Sequence, residues 1–112
     1  MEIFQKENSK FFCIAIKGSM AATLMPEDGR FIGELLEEDI ALLLFDLSSL
    51  VYLGSTVLRV ILNAVKKIRS KQGKVVLCSP NQYVREIFKV SGFGAIIPMA
   101  ESVESGINYQ SG

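Results

Sequence analysis

The sequence predicts an α/β domain, a mixed, mostly parallel β-sheet of about five strands covered by helices, in a single domain over residues 1–112. Three observations carry this expectation. Two near-continuous apolar runs, Ile40–Phe45 and Lys74–Cys78, suit strands buried on both faces, as in parallel or mixed sheets. Stretches of helical period lie between the strand-like runs. The length, 112 residues with 49% hydrophobic, suits one core and one domain.

The elements follow in order. Glu2-Ile3-Phe4-Gln5 is a first strand, Asn8-Ser9-Lys10 a turn, and Phe11–Ile16 a second strand ending at Lys17-Gly18. Two strands across a short polar turn predict an antiparallel hairpin. Residues 21–26 are ambiguous, and Pro26-Glu27-Asp28-Gly29 supplies turn chemistry. Phe31, Ile32, Leu35 and Leu36 recur at helical spacing up to Glu37-Glu38-Asp39. The strand Ile40–Phe45 follows and ends at Asp46. A long helix is predicted from about Thr56 to Ser70, with Val57, Ile61, Ala64, Val65 and Ile68 as its buried stripe. Lys66, Lys67, Arg69 and Lys71 crowd its C-terminal end, where the macrodipole favours cations, and Gln72-Gly73 stops it. After the strand Lys74–Cys78, Ser79-Pro80-Asn81 opens a helix with Val84, Ile87, Phe88 and Val90 inward. Ser91-Gly92-Phe93-Gly94 breaks it. Ala95–Pro98 reads as a short last strand, and Ala100–Asn108 as a terminal helix with Val103 and Ile107 packed down.

Composition narrows function. Lys plus Arg equals Asp plus Glu at 12 each, for zero formal net charge, so nothing argues for nucleic acid or an anionic membrane as partner. The most apolar run is far shorter than the about 20 residues that span a bilayer. No signal peptide is evident, and Cys13 and Cys78 sit in apolar strand-like runs as reduced core residues, which together point to the cytoplasm. The chain has no histidine, so it lacks the commonest general base and the commonest metal ligand. No CxxC pair exists for zinc. Gly92-Phe93-Gly94 is an incomplete dinucleotide loop, and Gly54-Ser55 matches a nucleophile elbow only loosely, with no histidine to activate the serine. The expectation is a protein that is not an enzyme, with no catalytic residues, metal or cofactor.

One ordered set of segments stands out: an apolar strand, Asp46-Leu47-Ser48, a short apolar segment, Gly54-Ser55-Thr56-Val57-Leu58, then a helix. It resembles the STAS family of anti-sigma factor antagonists, in which a strand ends in Asp-Leu-Ser and Asp-Ser-Ser-Gly-Leu opens a helix. The resemblance extends through Lys74–Pro80, Val84–Phe93, Ile97-Pro98 and Glu101–Glu104. It covers nearly the whole chain and is strongest from Ile40 to Glu104.

The resemblance implies a STAS-like fold and a protein-binding switch that regulates sigma-factor-dependent transcription. The implied partner is an anti-sigma factor that is also an ATP-binding serine kinase, bound by the unphosphorylated domain and released on phosphorylation. Carried over by position, the phosphoacceptor is Ser55, with Thr56 as the alternative, and the partner surface is Met20, Leu53, Gly54, Ser55, Thr56 and Val57. No nucleic acid and no direct membrane insertion are implied. The chain departs from the family at three places: Gly54 replaces the Asp before the acceptor, Val57 replaces a Gly, and Ala21 replaces the Asp of the turn after the second strand. Met20, Leu53, Val57 and Leu58 are candidates for a more apolar patch, with Leu58 read rather as core. A second reading is therefore a STAS adaptor without a phosphoswitch, a subunit of a lipid transporter or signalling assembly. A simpler role for Ser55 or Thr56 is an N-cap of the helix.

Overall fold

A computed structural model describes residues 2–5, 10–16, 26–50, 53–92 and 97–109. The order is β1 (Glu2–Gln5), β2 (Phe11–Ala15), α1 (Pro26–Leu35), β3 (Leu42–Asp46), α2 (Ser55–Ser70), β4 (Lys74–Cys78), α3 (Gln82–Val90), β5 (Met99–Ala100) and α4 (Val103–Tyr109). The strands form one five-stranded sheet in sequence order. β1 pairs antiparallel with β2, and every later pairing is parallel. The sheet is mixed and mostly parallel, as the apolar runs predict.

The register explains those runs. In β3 and β4, successive residues point to opposite faces. Leu43, Phe45, Val75 and Leu77 join one core cluster with Ile32, Leu35 and Leu36 of the α1 region, the α2 stripe, and Val84 and Phe88 of α3. Leu42, Leu44, Val76 and Cys78 join a second, with Ala100 and the partly buried Val103 and Ile107 of α4. Because both faces are covered, no polar alternation is visible in the sequence. All five residues of the predicted α2 stripe are buried.

The end of α2 is a Schellman turn. The Gln72 N–H donates to the Arg69 carbonyl at 3.0 Å and the Gly73 N–H to that of Ile68 at 2.9 Å. The left-handed residue is Gln72, with φ 66°. Gly73 serves a different need, since a Cβ there would lie 2.5 Å from the Ile40 carbonyl oxygen and 2.7 Å from Ile68 Cγ2.

Several expectations are corrected. Pro26–Gly29 are not a turn but the first turn of α1, because a proline at the first helical position loses only an N–H that has no intrahelical partner. That helix ends at Leu35, and residues 36–38 continue as hydrogen-bonded turns. The third strand starts at Leu42, two residues later than read, where β2 begins to pair with it. Val90 is 82% exposed, because it lies two residues from Phe88, on the opposite side of a helix that buries Val84 and Phe88. The last strand is Met99–Ala100, with Ile97 and Pro98 before it. α4 consequently starts at Val103. Ala95, Ile96, Asn8 and Ser9 lie outside the described residues.

Candidate functional site

The parallel strands β2 to β5 all end at one edge of the sheet, and the β3–α2 segment crosses that edge. Asp46 ends β3, and its Oδ1 accepts the Ser48 N–H at 3.0 Å, an Asx turn that lifts the chain off the strand. The Leu47 N–H donates to the Cys78 carbonyl and the Leu50 N–H to that of Leu47. Leu47, Leu50 and Leu53 point into the core, while Ser48 and Ser49 face solvent. The segment is thus pinned by three leucines from below. Asn81 pins it from the side: its Nδ2 donates to the Leu50 carbonyl at 3.2 Å, and its Oδ1 caps α3 by accepting the Val84 N–H at 2.8 Å.

Gly54 is the N-cap of α2, extended at φ −80° and ψ 162°, and its carbonyl accepts the Leu58 N–H at 3.0 Å. Ser55 is the first helical residue and is exposed. No acidic residue lies in the first turn of α2. A hydroxyl therefore stands on the surface at the positive end of a 16-residue helix.

The predicted site residues divide cleanly. Gly54 and the side chains of Leu53 and Val57 are buried, Val57 completely. An exposed apolar patch built from Leu53 and Val57 is therefore not present, since both are needed to seal the core beneath the helix start. Leu58 is half-buried and packs against that core. Met20 and Ala21 lie outside the described residues. Thr56 is the second residue of α2. The N-cap reading of Ser55 or Thr56 is corrected as well, because Gly54 takes the extended cap position and the helix begins one residue earlier than periodicity suggests. Asn81 is the contributor that sequence reasoning misses. Pro80-Asn81 before an amphipathic stretch is a cap signature, but its bond to Leu50 spans 31 residues and leaves no local signal.

The remaining chemistry lies elsewhere. Burial pushes the Cys78 thiol up to about 12, with repulsion from Cys13, once that thiol ionises, and from the Asp46 carboxylate adding to it. Burial, then Asp46, pushes Cys13 up to about 11. Both cysteines are free and stay protonated near neutral pH, the unreactive form. Among the described residues no three His, Cys, Asp or Glu side chains group to hold a metal, and no helix is long and apolar enough to cross a membrane. A cavity of about 210 Å³ lies by Val65, Gly73, Lys74 and Ile97, at the start of β4 and so at the opposite sheet edge from Ser55. The described strands run in sequence order, with no reversal among them.

Fold and site together define a small α/β domain that presents an exposed serine at the head of α2. Residues 4–106 match the STAS domain, and the chain belongs to that family. Over 60 residues it is 47% identical to a Bordetella bronchiseptica protein named "Putative anti-sigma factor antagonist BtrV", a match that spans 54% of this chain and about half, 52%, of that relative. The fold is shared with a STAS domain protein of Planctomyces limnophilus, with TM-score 0.80 and 15% identity over 99% of this chain and 97% of that one. It is also shared with the anti-sigma factor antagonist SpoIIAA in its unphosphorylated form, with TM-score 0.74 and 16% identity over 98% and 96% of the two chains.

Proposed function

We propose that this domain is an anti-sigma factor antagonist whose switch is Ser55. In the unphosphorylated state it binds an anti-sigma factor that is also an ATP-dependent serine kinase, and so frees a sigma factor. In the modified state it lets go. The observation that carries the reading is the exposure of Ser55 at the head of α2, flanked by buried Leu53, Gly54 and Val57. Membership of the STAS family and the likeness to a relative named as an anti-sigma factor antagonist support it.

The chemistry asks little of this chain. The Ser55 oxygen forms a bond to the γ-phosphorus of ATP, the bond from that phosphorus to the β-phosphate bridging oxygen breaks, and ADP leaves. The hydroxyl proton passes to a base of the kinase or to water, which suits a chain without histidine. The phosphate adds nearly two negative charges at neutral pH. At the positive end of α2 that charge is tolerated by the domain itself, so the modification acts on the partner's contact by bulk and desolvation.

The test is incubation with ATP and the cognate kinase, followed by intact mass and peptide mapping. The expected result is one phosphoryl adduct on Ser55, absent in Ser55→Ala. An adduct that persists in Ser55→Ala removes the site. Stable binding with no adduct, indifferent to ATP, would replace the switch with a constitutive adaptor. Gly54 and Ala21, where the family has acids, are the features that favour that second reading.

A further inference from the structure

The charge of this neutral chain is unevenly distributed. α2 carries Arg59, Lys66, Lys67 and Arg69 and no acidic residue. Near its C-terminal end, cations are committed to structure. Lys67 pairs with Glu37 at 3.2 Å, and the Lys71 Nζ just beyond donates to the Leu36 carbonyl at 2.6 Å.

Arg59 is different. It lies four residues after Ser55, and both are exposed. Residues at this spacing are neighbours on a helix surface, with about 5–6 Å between Cβ atoms. Asn63 and Lys66 continue the same exposed stripe. Among the described residues no ion pair engages Arg59. It is the first cation of α2 after Ser55 and the sole one in the first two turns.

We propose that Arg59 is the positioning residue of the switch. Its guanidinium binds the phosphate on Ser55 across one turn of α2. Before modification the same guanidinium is available to an acidic group of the partner. Modification therefore does two things: it adds bulk and charge at Ser55, and it withdraws the nearest cation from the docking face. Anion N-terminal to cation at this spacing is the favourable orientation for the helix dipole, and a guanidinium fork matches phosphate oxygens two at a time. The proposal rests on Ser55 being the acceptor.

The experiment installs phosphoserine at position 55 during translation, so no kinase is needed, and measures melting temperature in a four-member cycle with Arg59→Gln. Arg59 is exposed and away from the core, so Arg59→Gln folds. Phosphoserine is expected to raise the melting temperature by about 2–4 °C more in the native background than in the Arg59→Gln background at low salt. The difference is expected to shrink in about 0.5 M salt, where screening is nearly complete beyond a few ångströms. Arg59→Lys should recover part of it, and Lys66→Gln, three turns from Ser55, should leave it intact. Equal shifts in the native and Arg59→Gln backgrounds, or the same loss with Lys66→Gln, overturns the latch. Because the phosphate is supplied without a kinase, that failure is distinct from a finding that the kinase never modifies Ser55.

Discussion

The two ends of the sheet are built for different tasks. At the end where β3 and β4 begin, the chain is braced in several ways. Lys10 pairs with Asp39 at 2.8 Å, Lys67 with Glu37, Lys71 donates to the last carbonyls of the α1 region, and Gly73 packs against Ile40 and Ile68 with no room for another atom. At the end where the strands finish, the β3–α2 segment is held by buried leucines and one asparagine and shows serines to solvent. The first end stabilises. The second presents Ser48, Ser49 and Ser55 to solvent above buried Leu47, Leu50 and Leu53. The switch proposed at Ser55 does not call for a moving element in this domain. It needs a hydroxyl held in a fixed place.

Substitutions at each end separate the two roles. The largest effect is expected at the braced end. Gly73→Ala puts a methyl 2.5 Å from a backbone oxygen, and overpacking of this kind costs about 1–3 kcal/mol. Urea denaturation should show that loss as a lower midpoint, while any phosphorylation at Ser55 in the folded fraction proceeds at the native rate. A fall in that rate at full folding would mean the two ends are coupled.

A smaller effect is expected from Asn81, which serves both roles. Asn81→Ala removes the α3 cap and the tether to Leu50, for about 1–2 kcal/mol. Asn81→Asp sharpens the comparison, because it keeps the oxygen that caps Val84 and loses the donor to Leu50. Stability should then recover most of the way toward native. Recovery of no more than a small fraction would show that the tether, and not the cap, is the stabilising contact.

The sequence is most legible where local pattern and tertiary environment agree. The strands Leu42–Asp46 and Lys74–Cys78 are apolar because both faces are covered, and α2 has a full 3.6-residue stripe. It is least legible where pairing is set from afar. The Met99–Ala100 strand is two residues long and has no alternation to read. It forms there because the Leu77 N–H finds the Pro98 carbonyl and the Ser79 N–H finds that of Ala100. The site divides similarly. The order of motifs puts Ser55 at the helix start, and it lies there. Val57 is legible as the first residue of the α2 stripe, but the inward turn of Leu53 has no such signal, because an apolar residue beside a candidate acceptor reads equally well as core or as contact surface. Only burial, with Leu53 5% exposed, decides between them.

The most direct test of the switch is release. The cognate kinase, immobilised, is loaded with the native domain, Ser55→Ala or Ser55→Asp, and washed with and without ATP. All but Ser55→Asp are expected to bind, and ATP is expected to elute the native domain while leaving Ser55→Ala in place. Elution of Ser55→Ala by ATP, or retention of Ser55→Asp as firmly as the native domain, would contradict the assignment of the switch to Ser55.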